Sequence, residues 1–320
     1  MIVSNPLGFN VGDLYIDLLE MTGRRIMLKC EGFNFAGSVK IKAAVEMVDE
    51  GEREGRFAPG DTLVESSSGN MGVALSIVAA RRGYRFICVT DARCNRSARQ
   101  VMEALGAEVY VVTDPDPQSG LLGARLAHVR RLCADRPDYR WLNQYANAGN
   151  WMGHYRTTAQ EIAKAFPEID VLFVGAGTTG TLMGCARYFR ETRPSVTIVA
   201  IDSVGSVTFG ETEGRRMIPG LGTSVRPAIL DTSCVDAVVH VSEADTIRAC
   251  HELVRHGFLL GGSTGTVVHG ALDWLAANDA SEKLTAVAIS PDLGHHYLDT
   301  IYDEKWVSGA LTDSCTGPMG

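Results

Sequence analysis

The chain has 320 residues, of which 45% are hydrophobic and 21% charged, and its formal net charge at pH 7 is −8. These values are typical of a globular protein with one large or two medium domains. The negative charge argues against nucleic acid or an anionic membrane surface as the main partner. No apolar stretch approaches the roughly 20 residues of a transmembrane helix, and the first residues show no signal-peptide pattern. We therefore expect a cytoplasmic protein without membrane partners.

The eight cysteines are scattered, and no two of them form a C-x-x-C motif. Several, such as Cys88 in RFICVT, fall in apolar strand-like runs, where a reduced thiol packs as a small hydrophobic group. The pattern therefore predicts free cysteines in a reducing compartment and no bound metal.

Strand-like apolar runs alternate with amphipathic helical segments along most of the chain. A first series begins with RIMLKCE (25–31), continues with a helix over about 38–54, and ends with EVYVVTD (108–114). A second series begins with VLFVGAG (171–177), after the polar stretch LNQYANAGNW (142–151). Such alternation predicts parallel sheets covered by helices. We therefore expect two doubly wound α/β domains with a cleft between them.

Four strand-end loops are rich in Gly, Ser, Thr and Asn, and each leads into a helix. They are NFAGSVK (34–40), SSSGNMG (66–72), GAGTTGT (175–181) and GGSTGT (261–266). Ligands of open α/β sheets bind at the carboxyl ends of the strands, and helix N-termini bind phosphate and carboxylate groups. The four loops therefore predict one site crowded with anionic groups.

The loop GAGTTGT also matches the G-x-G-x-x-G fingerprint of a dinucleotide-binding unit through Gly175, Gly177 and Gly180. Asp202 ends the next apolar run, where a ribose-binding acid belongs. A nicotinamide-dependent oxidoreductase is therefore one alternative. It leaves Lys40 unexplained, a lysine in the first turn of a helix that opens beside the cleft. The helix dipole disfavours an ammonium there, and a neutral amine can form a Schiff base.

A hydrolase is a second alternative. The segment GGSTG matches the G-x-S-x-G nucleophile elbow, and Asp292 and then His295 or His296 follow in the chain order of a catalytic triad. An elbow normally lies earlier in such a fold, however, and the sequence contains no HGGG-like oxyanion loop.

The loops together resemble those of fold-type II pyridoxal-phosphate (PLP) enzymes, the cysteine synthase and cystathionine β-synthase family. NFAGSVK resembles N-P-x-x-S-x-K, ESSSGNMG resembles E-x-T-S-G-N-T-G, and GAGTTGT resembles the G-x-G-T-G-G-T phosphate loop. PGLGTS resembles G-I-G-A-G, and GGSTGT resembles G-G-S-x-G. The similarity extends over roughly residues 25 to 300. The chain departs from the pattern at four positions: Phe35, Ile41, Lys42 and Ser67.

The resemblance implies a tryptophan synthase β-subunit-like fold and a homodimer. Residues 1–40 and 146–320 would form a larger domain that binds the PLP phosphate. Residues 41–145 would form a smaller, mobile domain that binds the substrate carboxylate. The active site would lie in the cleft between them.

The resemblance also implies roles for individual residues. Lys40 would carry PLP as an internal aldimine and act as the catalytic base, Asn70 would meet the ring O3′, and Ser263 would meet the ring nitrogen. The cofactor phosphate would be held by Gly177, Thr178, Thr179, Gly180 and Thr181. The substrate α-carboxylate would be held by Ser67, Ser68, Gly69 and Gln144, with Gly222 near the amino-acid moiety.

Longer segments, among them NQYANAGNWMGHY (143–155) and RMIPGLGTSVRP (216–227), resemble the N-(2-amino-2-carboxyethyl)-L-glutamate synthases. This resemblance implies β-replacement on O-phospho-L-serine through an α-aminoacrylate, with the amine of L-glutamate as nucleophile. The product would serve 2,3-diaminopropionate formation for siderophores or antibiotics. Cysteine synthase or another β-substituted alanine synthase is the alternative, and a non-catalytic PLP-fold protein is a third possibility. We predict Arg226 as a phosphate or glutamate ligand and Tyr155 as a residue of the nucleophile pocket.

Overall fold

The computed structural model describes residues 2–116 and 119–315 and contains two domains, each built on a parallel sheet. The strands of the larger sheet are β1 (Tyr15–Asp17), β2 (Ile26–Cys30), β7 (Val171–Gly175), β8 (Thr197–Ser203), β9 (Ala237–Val241) and β10 (Ala286–Ser290). They lie in the order β1-β2-β10-β7-β8-β9, and β1 pairs antiparallel with β2 while the other pairs are parallel.

The smaller sheet has four strands, all parallel, in the order β5-β4-β3-β6. They are β3 (Thr62–Ser66), β4 (Arg85–Asp91), β5 (Glu108–Val112) and β6 (Tyr139–Trp141). The prediction of two doubly wound α/β domains is confirmed. The exact domain boundaries at 40/41 and 145/146 stay a prediction.

Helices cover the faces of both sheets. They are α1 (Leu19–Thr22), α2 (Lys40–Arg53), α3 (Asn70–Arg82), α4 (Arg96–Ala104), α5 (Gly120–Asp135), α6 (Gly149–Arg156), α7 (Thr158–Ala165), α8 (Gly180–Thr192), α9 (Glu243–Arg255), α10 (Gly262–Asn278) and α11 (Glu304–Cys315). Within the described ranges, no helix is both long and apolar enough to cross a membrane.

The central strands of the sheets are continuously apolar in sequence because helices bury both faces of each sheet. Val171, Leu172 and Phe173 of β7 have no exposed surface, and neither do Val287 and Ala288 of β10. This burial leaves the carboxyl ends of the strands, and the loops that follow them, as the places where polar groups can meet a ligand.

One of the four glycine-rich loops differs from its predicted setting. GGSTGT does not follow a strand; it follows α9 and an isolated bridge between Leu260 and Leu293. The bridge places the start of α10 beside the segment that follows β10, so the loop still reaches the cleft.

The polar stretch 142–151, which we expected to be a divider, contains the first residues of α6. The sequence hides this helix because glycines replace apolar residues on its packed faces. A methyl group on Gly149 would lie 2.8 Å from the Cα atom of Met47, and one on Gly153 would lie 2.7 Å from the carbonyl oxygen of Lys42. Glycine thus allows α6 to approach α2 closely, just behind the predicted site.

Candidate active site

One cavity between the two domains brings together every predicted cofactor ligand. It is lined by Lys40, Asn70, Gly177, Thr178, Thr179, Gly180, Thr181 and Ser263. The predicted carboxylate ligands Ser67, Ser68, Gly69 and Gln144 and the neighbouring Gly222 line the same cavity. Residues separated by more than 200 positions therefore meet at one place.

The loop before α8 forms a narrow cradle at one end of the cavity. Thr179 caps the helix in the left-handed conformation, with φ 64°, and no side chain caps the first turn. A methyl group on Gly177 would lie 2.6 Å from the carbonyl oxygen of Gly220, and one on Gly180 would overlap the side chain of Asn150. The hydroxyl of Thr179 is buried and has no protein partner among the described residues. An uncapped helix N-terminus with a spare hydroxyl fits the phosphate of PLP.

A buried histidine supports this cradle from behind. The ring of His154 is fully buried, with Nε2 3.2 Å from Oγ1 of Thr181 and Nδ1 3.2 Å from Oγ1 of Thr158. Burial, and then the positive charge of Lys42, hold the pKa of His154 well below its usual range. The ring is therefore neutral, and it positions a cradle threonine without adding charge.

Lys42, one of the departures from the family pattern, belongs to a buried ion cluster. Its Nζ lies 2.9 Å from Glu31 and 2.8 Å from Glu161, and it donates to Thr158 at 3.1 Å. Lys29, also fully buried, shares the same two carboxylates. The cluster satisfies charges that would otherwise be costly to bury, and it ties α2 to α7 immediately behind Lys40.

Lys40 begins α2 and points into the cavity. Burial lowers the pKa of its amine, and the nearby carboxylate of Asp292 opposes that change. The helix dipole also disfavours the ammonium form at this end of α2. An amine that readily loses its proton is suited to Schiff-base formation.

A buried carboxylate joins two residues that line the cavity. Oδ2 of Asp292 accepts from Nδ2 of Asn70 at 2.8 Å and from the hydroxyl of Tyr297 at 2.5 Å. The side chains of Tyr297 and Ser263 both lie beside Gly220 in the cavity. Burial raises the pKa of Asp292 to about 6, although Tyr297, Asn70 and Lys40 lower it. Asp292 and Tyr297 were not identified from the sequence as neighbours of Asn70 and Ser263, the two residues expected to meet the PLP ring.

The geometry does not support the two alternative enzyme classes. Asp292 contacts Asn70 and Tyr297, whereas His295 is exposed and Nδ1 of His296 lies 3.1 Å from Ser97, so no triad forms with Ser263. Asp202, the expected ribose ligand, is fully buried, accepts from its neighbour's backbone N–H, and does not line the cavity.

On the side of the smaller domain, the start of α3 opens onto the cavity. Oγ of Ser67 accepts from the backbone N–H of Gly69 at 3.2 Å and of Gly72 at 2.9 Å. The side-chain amide of Gln144 donates to the carbonyl of Ser66 at 2.7 Å, and its backbone N–H donates to Glu65 at 3.0 Å. These contacts fix the two loops that we expect to hold a carboxylate.

Arg125 is a cavity residue that sequence reasoning missed. It is 4% exposed and its Nε lies 3.1 Å from Asp91, while its Nη1 has no hydrogen-bond partner among the described residues. Tyr145 lines the cavity beside it, and burial raises the pKa of that tyrosine, so its hydroxyl stays protonated. The signal was a charged residue on the apolar face of α5, at helical spacing from the buried Leu122 and Val129.

Two predicted substrate ligands lie elsewhere. Arg226 is exposed and does not line the cavity. The hydroxyl of Tyr155 bonds to Glu191 on the outer side of α6 and α8, and its ring packs against Trp151 and Tyr188. The structure therefore brings neither side chain to the site.

The fold and the cavity define an α/β enzyme that holds PLP between two domains. Residues 15–292 match the model of a family described as pyridoxal-phosphate dependent enzymes, and the chain belongs to this family. The predictions of a fold-type II PLP enzyme, of its cofactor and of β-replacement as its class of reaction are confirmed.

Two curated relatives are both named N-(2-amino-2-carboxyethyl)-L-glutamate synthase. The protein of Ralstonia nicotianae is 39% identical over 296 residues, which cover 92% of this chain and 87% of the relative. The protein of Cupriavidus metallidurans is 37% identical over 313 residues, which cover 96% of this chain and 92% of the relative.

Solved structures of similar proteins have the same fold. O-ureido-L-serine synthase is 31% identical with a TM-score of 0.86, and the match covers 98% of this chain and 100% of that one. The O-acetylserine dependent cystathionine β-synthase of Helicobacter pylori is 26% identical with a TM-score of 0.86, and the match covers 95% of this chain and 100% of that one.

Proposed function

We propose that the protein joins O-phospho-L-serine to the amine of L-glutamate and releases N-(2-amino-2-carboxyethyl)-L-glutamate and inorganic phosphate. The observation that carries the proposal is the buried, incompletely paired guanidinium of Arg125 in the cavity of a chain with net charge −8. The names of the two curated relatives support the same reaction.

Bound PLP supplies an electron sink that acidifies the substrate α-proton and allows a β-substituent to leave. Lys40 Nζ accepts that α-proton and later returns it to the same carbon. Over the whole reaction one C–O bond to phosphate breaks and one C–N bond to glutamate forms. The glutamate amine loses one proton and the phosphate takes up one proton as it departs, so it leaves as hydrogen phosphate.

The remaining residues bind and orient the cofactor and the first substrate. The amides of Gly177 and Gly180 and the hydroxyls of Thr179 and Thr181 bind the cofactor phosphate, and Ser67 with the start of α3 binds the substrate carboxylate. Ser263, a neutral hydroxyl, meets the ring nitrogen. It does not enforce a charged ring as a carboxylate would, which favours elimination over transamination.

Arg125 and Tyr145 bind the phosphate that leaves. The Nη1 donors of Arg125 have no partner among the described residues, and Asp91 fixes the guanidinium in place. An arginine suits a phosphate because its planar fork donates two parallel hydrogen bonds. A buried cation that is already oriented costs little to reorganise as charge develops on the departing group.

Product analysis tests the proposal. Purified enzyme is offered O-phosphoserine together with equimolar glutamate and sulfide, and the products are separated by mass spectrometry. We expect the glutamate adduct to dominate. Cysteine as the main product, or a clear preference for O-acetylserine, would replace the glutamate assignment with a cysteine synthase.

We further propose a homodimer in the cytoplasm that serves 2,3-diaminopropionate formation for a siderophore or an antibiotic. Phe33 and Phe35 support a docking face for a second copy, because they are 42% and 60% exposed and Phe35 packs edge-on against Phe9. The free thiols of the described cysteines support a reducing compartment. Sedimentation of the holoenzyme tests the dimer.

A further inference from the structure

A second cavity adjoins the active-site cavity at its mouth. Its volume is about 850 Å³, within the range of small-molecule sites. Arg93, Asn95 and Arg216 line both cavities, so the two spaces are continuous. The second cavity, which we term the vestibule, is also lined by Arg96 and Arg215.

The vestibule is positively charged although the chain as a whole is negative. Its described lining holds four arginines and two carboxylates, those of Glu213 and Asp299. Such a local field concentrates small anions against the sign of the net charge. The residues that form it come from both domains, since Arg93 follows β4 of the smaller sheet and Arg216 follows β8 of the larger one.

Arg93 and Arg216 both lie at the mouth, where the two cavities join. Among the described residues, Arg93 forms an ion pair with Asp91 alone, at 3.3 Å, and Arg125 shares that carboxylate at 3.1 Å. Arg216 is 8% exposed and donates to Ser224 and to the carbonyl of Gly205, and no carboxylate of the described residues lies within ion-pair distance. Burial, and then the charge of Arg93, lower the pKa of Arg216. The positive charge of Arg93 therefore acts on Arg216, and among the described residues no carboxylate pairs with Arg216 to offset it.

We propose that Arg93 and Arg216 form a carboxylate-binding subsite for the dicarboxylate amino acid that supplies the attacking amine. The inference rests on the proposed function and names the place of its second substrate. One carboxylate of the nucleophile binds between the two arginines in the vestibule. The amine then extends through the shared mouth toward the substrate held by Lys40 and Ser67.

The subsite adjoins the one at Arg125 but lies nearer the vestibule. Arg125, on α5, lines the inner cavity and not the vestibule, whereas Arg93 and Arg216 line both spaces. The phosphate of the first substrate therefore meets Arg125, and an anion arriving later meets the arginines at the mouth. Because those two arginines belong to different domains, the carboxylate also draws the domains together.

The experiment compares Arg93→Ala and Arg216→Gln with the wild-type holoenzyme. KM values are measured for glutamate at saturating O-phosphoserine and for O-phosphoserine at saturating glutamate. We expect the KM for glutamate to rise roughly 10- to 100-fold, as for loss of a charge-assisted hydrogen bond, with a smaller change for O-phosphoserine. Arg93→Lys should recover part of the loss because it keeps the charge.

Direct binding provides a readout that does not depend on turnover. Glutarate has both carboxylates but no amine, so it binds without reacting, and calorimetry follows its binding to the holoenzyme. Wild type should bind glutarate in competition with glutamate, and Arg93→Ala should bind it at least about tenfold more weakly. Arg255→Ala is the matched control, because Arg255 lies on the outside of α9 and lines neither cavity.

The outcomes separate the inference from the proposed function. If O-phosphoserine and glutamate give no product with wild type, the proposed function fails. If they react but Arg93→Ala and Arg216→Gln raise the KM for O-phosphoserine instead, the arginines serve the phosphate and the subsite is refuted. Unchanged glutarate binding in both variants would also refute it.

Discussion

Replacing Gly177 with alanine should weaken PLP binding without unfolding the protein. The new methyl group would lie 2.6 Å from the carbonyl oxygen of Gly220. Ordinary contacts begin near 3.4 Å, so the two loops must separate by about 0.8 Å. The opposing atom belongs to the backbone and cannot rotate away.

The magnitude follows from the cost of overpacking, which is typically about 1–3 kcal/mol. The strain falls on the loop that supplies the phosphate ligands and on Gly220, which lies against Ser263. Because the close contact between Gly177 and Gly220 positions the phosphate ligands, we expect the strain to weaken cofactor binding and to raise the Kd for PLP roughly 5- to 150-fold.

The assay is a titration of apoenzyme with PLP, followed by absorbance or by quenching of intrinsic fluorescence. Gly8→Ala is the control, because a methyl group there meets no atom within 4 Å. A Gly177→Ala enzyme that binds PLP as tightly as wild type would refute the assignment of this loop as a close-fitting phosphate cradle. Urea unfolding of both apoenzymes distinguishes loss of binding from loss of the fold.

Three further predictions concern groups around the cradle. Arg125→Ala should raise the KM for O-phosphoserine at least tenfold but change that for O-acetylserine little, because only the former carries a phosphate; equal effects in steady-state assays would contradict this. His154 should remain neutral, so ¹⁵N NMR of labelled histidine should show no titration of its ring between pH 5.5 and 8. Asp292→Asn keeps an acceptor for Asn70 and Tyr297 and removes a carboxyl whose pKa burial raises to about 6. Since the pKa of an aspartate in the unfolded chain is about 3.9, ionisation of Asp292 destabilises the wild-type apoenzyme as pH rises from about 4 to 6. In urea unfolding at pH 8, the free energy of unfolding of the variant should exceed that of wild type by up to about 3 kcal/mol. A difference that does not change with pH would be inconsistent with this origin.

The loops of the site could be predicted because each depends on a local pattern. An apolar run, a glycine turn and an amphipathic segment already define a strand, a phosphate-binding turn and a helix, and β2, β5 and β7 lie within the runs expected for them. Gly83 ends α3 in the left-handed conformation with φ 77°, as a terminal glycine should. The family resemblance then related the four loops to one another, which no local pattern does.

Packing of backbone against backbone could not be predicted in the same way. Helix α6 carries Gly149 and Gly153 where a periodic pattern would show apolar side chains, because α2 passes too close for any side chain. The buried cluster around Lys42 was equally hidden, since Glu31 and Glu161 lie 130 positions apart in the sequence and meet only in the fold. The identities of these residues become interpretable once the neighbouring helix is known.

The arginines show why distance along the chain is a poor guide to which side chains reach the substrate site. Arg226 attracted a prediction because it lies beside PGLGTS in the sequence, yet its side chain is exposed to solvent. Arg125 lies in a helix far from every glycine-rich loop, and it reaches the cavity because Asp91, at the end of β4, binds it there.

Asp91 also connects the two anion sites of the smaller domain. It pairs with Arg125 toward the inner cavity and with Arg93 toward the vestibule, so one carboxylate balances two guanidinium groups. The loop after β4, which carries Arg93, therefore keeps a net positive charge in the cavity that Arg216 of the larger domain also lines. Without an anion, repulsion between Arg93 and Arg216 favours an open cleft; with one, the same pair attracts a common ligand and favours closure. We therefore expect glutarate to draw the two domains together, and we expect this effect to depend on ionic strength more steeply in wild type than in Arg93→Ala, as measured by small-angle scattering with and without glutarate.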